Sequence, residues 1–133
     1  MPYLAAGLEG NELCMWLLAP PVGASEARAA MHQGVADLDR YVERGLMLFE
    51  PAADWLLTNG TLNQPYFTSA WEAMIAGMAQ RGLAGLRIAG CVACLPGLKW
   101  ADIGRFEQNL DEALAGKPMI ALCGYPLATT EAV

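Results

Sequence analysis

Gly85-Leu86-Arg87-Ile88-Ala89-Gly90-Cys91-Val92-Ala93-Cys94-Leu95-Pro96-Gly97 is the stretch that decides how the rest of the chain is read. Leu86 to Ala89 is a short apolar run bounded by glycine, which predicts a buried strand. It passes into a loop that holds two cysteines in a C-x-x-C spacing and closes with Pro96 and Gly97, both turn residues. Ligands of open α/β sheets sit beyond the carboxyl ends of the strands. This loop is therefore the first place to look for chemistry.

The flanks of the stretch are helical in pattern. Before it, Pro65 suits a first helical position, and the segment to about Arg81 places Phe67, Trp71, Met74, Ile75 and Met78 at steps of three and four, ending at Gly82. After it, Lys99 to Ala115 predicts an amphipathic helix with Ile103, Phe106, Leu110 and Leu114 inward and Gly116 as its stop. Pro118 to Cys123 then reads as another buried strand. Towards the amino end, Glu12 to Leu18 is a nearly continuous apolar run closed by Ala19-Pro20-Pro21, as in a strand covered on both faces. Leu46 to Phe49 predicts one more strand.

Between these lie shorter pieces. Tyr3 to Gly10 has the pattern of a helix tail, with Leu4 and Leu8 four apart. Ser25 predicts an N-cap for a helix through about Gln33, Asp37 to Arg44 a second short helix ended by Gly45, Ala52 to Leu57 a single helical turn, and Thr58-Asn59-Gly60 a turn. Strands alternating with helices imply βαβ crossovers. The expected fold is three-layer α/β, a mainly parallel sheet with helices on both faces. The tail after Tyr125 has no sheet-like pattern and is expected to fray.

The 133 residues suffice for one domain, residues 1–133, with a sizeable core. Apolar residues make up 55% and charged ones 17%, a surplus that predicts apolar surface for a partner and points to a homodimer or a docked module. The formal charge is −6, and the basic residues are scattered without a run or stripe, which argues against direct binding of nucleic acid. The amino end lacks the pattern of a signal peptide, and no apolar run approaches the roughly 18–20 residues of a membrane span. A cytoplasmic protein with no membrane association is expected.

Cys91 follows the predicted strand at Leu86, Cys123 ends the one at Pro118, and Cys94 shares the loop with Cys91. Parallel strands would bring these three thiols to one sheet edge, whereas Cys14 lies within a strand and reads as packing. Three thiolates form a soft site suited to Zn²⁺, Cu⁺ or a thiophilic metalloid. A redox dithiol and plain packing remain open beside it, because a single C-x-x-C is a weak signal. The redox reading is weakened by Pro96 and Gly97, which separate the pair from the next helix and its thiolate-stabilising N-terminus. In a cytosolic α/β domain a structural disulfide framework is not the expected use of these cysteines.

Other chemistry is thinly represented. His32 is the one histidine and falls on a helix away from this edge, which disfavours a Cys-His pair. Ser25 and Ser69 stand in no G-x-S-x-G elbow, and neither a P-loop nor a G-x-G-x-x-G follows any strand. No catalytic set emerges. Trp55 and Trp100, near loops, are the aromatic residues best placed for a pocket, and Glu50 is the carboxylate expected on the ligand edge.

In the order of these elements the chain resembles the MEDS family, the sensory domain named for methanogens and methylotrophs and for the dichloromethane-responsive repressor. The matching stretches are Gly7 to Glu12 leading into Cys14 to Pro20, Gly45 to Phe49 followed by Trp55 and Asn59-Gly60, Gly85 to Gly90, and Ala121 to Tyr125. The resemblance implies a RecA-like or KaiC-like core without its phosphate loop, and a sensor of small molecules that signals to a DNA-binding or histidine kinase module. No such module is recognised here, so a separate regulator or kinase is the implied output partner. Against the family's pattern the chain is expected to lack the opening strand and the usual continuation beyond Tyr125. The Cys91 to Cys94 loop departs from the more polar turn the resemblance implies.

The leading expectation is thus a non-enzymatic sensory domain that takes a small apolar or thiophilic ligand at the carboxyl edge. Cys91, Cys94, Trp100, Tyr125 and Glu50 are the candidate ligand contacts, and Cys91, Cys94 and Cys123 the candidate metal set. A thiol-based metal or redox sensor and a structural dimerisation module are the alternatives.

Overall fold

The structure is a computed structural model and describes residues 2–124. Its centre is a four-stranded, all-parallel sheet built from β1 (Glu12–Leu18), β2 (Met47–Pro51), β5 (Gly85–Gly90) and β6 (Met119–Cys123), in the order β2-β1-β5-β6. The helices are α1 (Pro2–Glu9), α2 (Ala24–His32), α3 (Leu38–Glu43), α4 (Ala52–Leu56), α5 (Gln64–Met78) and α6 (Trp100–Leu114). A small hairpin, β3 (Leu57–Thr58) and β4 (Thr61–Leu62), joins α4 to α5.

Strand side chains alternate between faces, and each face has its own core. Leu13, Met15, Leu17, Leu86, Ile88 and Met119 pack beneath α4, α5 and α6, where Phe67 is fully buried between Trp71 and Phe106 at ring-centroid distances of 5.1 Å. Cys14, Met47 and Ala89 face the other way, against Leu4 and Leu8 of α1, Met31 of α2 and Leu38 of α3. The expected three-layer α/β arrangement is what the structure shows.

α1 lies close on the sheet because Gly7 has no side chain: a Cβ there would stand 2.7 Å from both Arg87 Cδ and Cys14 Sγ. The charge of Arg87 on this half-buried face is matched locally. Its Nε donates to Glu12 Oε2 at 2.6 Å and its Nη1 to the Tyr3 carbonyl at 2.9 Å, and the guanidinium stacks over the Tyr3 ring. Tyr3 in turn donates its hydroxyl to the carbonyl of Ile120 at 2.9 Å, tying α1 to the outer strand.

Several local expectations are corrected. The N-cap of α2 is Gly23, so Ser25 lies inside the first turn and makes no side-chain cap. The helix predicted to Arg81 is α-helical only to Met78, and Ala79–Arg81 tightens into a 3-10 turn before Gly82, whose φ is +69°. Asn59 and Gly60, at φ of 53° and 78°, form the tight turn of the hairpin; the turn was legible, but its two-residue strands were too short to show a pattern. β6 is an edge strand, not one covered on both faces. Met119 is buried, yet Ile120 and Leu122 are 50% and 46% exposed, because α1 covers β1 and β5 but stops short of β6.

Candidate functional site

β1 leads into α2 on one face of the sheet, whereas β5 leads into α6 on the other. The connections diverge at the carboxyl ends of these two adjacent strands, which is the topological switch point of the sheet. A cleft of about 430 Å³ opens there. The lateral register Trp16↔Ala89↔Leu122 forms its floor, with the small Ala89 between two large side chains. Pro20, Pro21 and Val22, after β1, make one wall; Cys91 and Cys94, after β5, make the opposite one. The Pro20-Pro21 peptide bond is cis. None of the described residues lining the cleft carries a charge.

One register position further, Leu17, Gly90 and Cys123 form the next row, and the side chains of Leu17 and Cys123 pack into the other core. Gly90 leaves room for Leu17 of the neighbouring strand, since a Cβ would stand 3.2 Å from Leu17 Cβ, and its carbonyl accepts the Gly124 amide at 2.8 Å. Behind this row lies an inner cavity of about 30 Å³, walled by Trp71, Phe106, Leu110, Ala52 and Leu56. Leu17, Gly90, Cys91, Leu122 and Cys123 line both spaces, so the two meet at the carboxyl edge.

Cys91 and Cys94 are joined by a disulfide, with Cα atoms 5.3 Å apart. The loop between them is a 3-10 turn, Val92–Cys94, in which the Cys94 amide donates to the Cys91 carbonyl at 3.1 Å. In this state neither sulfur is a thiolate. Cys123 is a free, half-buried thiol whose pKa is raised by burial, with a further push from the negative charge of Glu107. Among the described residues no group of three or more His, Cys, Asp or Glu side chains is placed to hold a metal ion.

The expected site residues therefore divide. Cys91, Cys94 and Cys123 come together at the carboxyl edge, as parallel strands require. Glu50 lies at the end of β2, opposite Leu17 in the register, and is not part of the cleft lining. Trp100 begins α6, half-exposed on the opposite side of the sheet, and Trp55 packs against the core beneath α4 and α5; neither lines the cleft. Tyr125 lies outside the described residues. Trp16, Ala89, Leu122 and the Pro20-Pro21-Val22 segment were not singled out from sequence. The available signal was the parallel pairing, which aligns Trp16 with Ala89 once both strands are placed.

These elements define a three-layer parallel α/β domain with an apolar crevice at the switch point of its sheet. The chain belongs to the MEDS family, described as the methanogen/methylotroph, DcmR sensory domain, whose model matches residues 1–133. Nothing among curated proteins or solved structures matches it. The family assignment makes this a sensory domain, of a family not known for enzymes. Among the described residues no helix is long and apolar enough to cross a membrane.

Proposed function

We propose that this sensory domain binds a small, uncharged apolar molecule in the switch-point cleft, without chemical conversion, and reports its presence to a separate cytoplasmic regulator or kinase. The observation that carries this reading is the cleft's lining: Trp16, Ala89, Leu122, Val22 and two prolines, with only sulfur at the far wall. Such a surface gains from burying apolar area, and among the described residues it offers an ion no charged partner.

The test is a fluorescence titration with N-phenyl-1-naphthylamine, an uncharged probe that brightens in apolar surroundings. The expected result is saturable one-to-one binding that weakens at least tenfold in Leu122→Asp, whose carboxylate would sit at the cleft. Leu122 is already half-exposed on an edge strand, so the fold tolerates the change. Probe binding that is absent, or unaffected by this substitution, would overturn the assignment.

A second reading, homodimerisation, is favoured by Ile120 and Leu122, which stand exposed on the outer strand with no neighbour on that edge among the described residues. Native mass spectrometry with Ile120→Lys as the control checks it. A monomer at micromolar concentration would count against it.

A further inference from the structure

Part of the cleft's wall is a covalent bond between two cysteines. Cys91 and Cys94 are partly accessible, whereas Val92 and Leu95, which alternate with them, are each only 5% exposed. The turn is thus anchored by two apolar side chains and by the backbone hydrogen bonds from Cys94 to Cys91 and from Leu95 to Val92, each 3.1 Å. These anchors do not depend on the sulfur bridge. Opening it alters the wall and leaves the fold in place.

We infer that the Cys91–Cys94 bridge is a reversible redox couple whose poise is linked to occupancy of the cleft, so that one site reads both a ligand and the thiol status around it. This rests on the apolar-ligand reading above. The reductant is a small dithiol. Its thiolate attacks one sulfur, the Cys91–Cys94 bond breaks, and the departing sulfur takes up a proton. The reductant's second thiol then displaces the mixed disulfide. The protein gains two electrons and two protons, and the reductant leaves as its own disulfide.

The direction of the linkage follows from size and polarity. On reduction the sulfurs move from a bonded separation of about 2 Å to non-bonded contact at about 3.5–4 Å. Each also acquires a weak S–H donor. The wall becomes bulkier and more polar, so an apolar ligand prefers the bridged state. Coupling is reciprocal: the ligand makes the bridge harder to reduce by the factor by which reduction weakens the ligand. The helix α6 begins only at Trp100, beyond Pro96 and Gly97, so its N-terminus gives neither thiolate the stabilisation that would drive the bridge open.

The experiment uses the full chain and N-phenyl-1-naphthylamine. Binding is titrated in the bridged protein, in the protein held reduced by dithiothreitol, and in Cys91→Ser/Cys94→Ser. The bridge is also titrated against dithiothreitol with and without saturating probe. The expected result is about fivefold or greater weakening in both the reduced protein and the double variant, with a matching shift of the midpoint to more negative potential, about 30 mV per tenfold in affinity. In Leu122→Asp, which keeps the bridge, the midpoint should no longer respond to the probe. Equal binding in both redox states would overturn the linkage and leave the cleft assignment intact. No binding in either state would overturn the cleft assignment and the linkage with it.

Discussion

Trp16 and Leu122 stand in one lateral row of the sheet with a single methyl group, that of Ala89, between them. The gap left by that small residue is the floor of the cleft. Ala89 is 1% exposed, so a larger side chain there must displace its neighbours or fill the opening above it. Ala89→Leu is expected to destabilise the domain by about 1–3 kcal/mol and to abolish probe binding. Urea unfolding read beside the fluorescence titration separates the two effects, and a variant that binds normally would move the ligand site elsewhere.

Gly7 controls how closely α1 approaches the sheet. Its hypothetical Cβ falls 2.7 Å from Cys14 Sγ, which is fully buried and cannot move aside. Gly7→Ala should therefore cost about 1–3 kcal/mol, even though alanine is the better helix former by roughly 1 kcal/mol. Chemical denaturation checks the sign: a stabilised variant would mean that α1 shifts freely.

Arg87 holds three partners at once, the Glu12 carboxylate, the Tyr3 carbonyl and the Tyr3 ring. Removing it with Arg87→Met leaves the largely buried Glu12 carboxylate without its counter-charge. A loss of about 2–3 kcal/mol is expected, and Glu12→Gln in the same chain should recover part of it. A double-mutant cycle by urea unfolding measures the coupling, and additive losses would show that the pair does not interact energetically.

Alkaline pH should reveal the same region. Burial pushes the Cys14 thiol up to about 12 from 9.0 and, as the largest cause, the Tyr3 phenol to about 12 from 10.0. Both groups are neutral when protonated, so the folded state keeps its protons where the unfolded chain has already lost them. The stability they contribute is full below about pH 9 and is lost as pH rises towards 12. Denaturant midpoints should be level to about pH 9 and fall above it. In Cys14→Ala, cavity cost aside, the fall should begin nearer pH 10, where the phenol takes over.

The parts of the fold that sequence displayed best were those whose neighbours hardly matter. Glu12 to Leu18 is apolar at nearly every position, so it could be recognised as a central strand before its partners were known, and its observed limits are the same. Cys91 could be placed on the ligand edge because it follows such a run. What stayed hidden depended on how far a helix reaches sideways. β6 looked buried by composition, but α1 ends short of it and leaves Ile120 and Leu122 open. Trp100 is close to the cysteine loop along the chain, yet the divergence of α2 and α6 sends it to the other face. Trp16 looked like core for the converse reason, since nothing local announces that the layer above it ends. The bond between Cys91 and Cys94 was equally out of reach, because their spacing suits a metal, a dithiol or a disulfide alike.

The order of the strands also governs when the cleft can exist during folding. β1 pairs with β2 through partners such as Cys14 and Met47, and β5 with β6 through Leu86 and Met119, but the seam between the halves joins Glu12 to Gly85, the widest separation in the sheet. Closing that loop carries the largest entropic penalty of the three pairings. Trp16 and Ala89 meet only across this seam, so a nascent chain that has formed either half-sheet alone has no binding site. The cleft's floor is complete only when the two halves of the sheet pair across this seam.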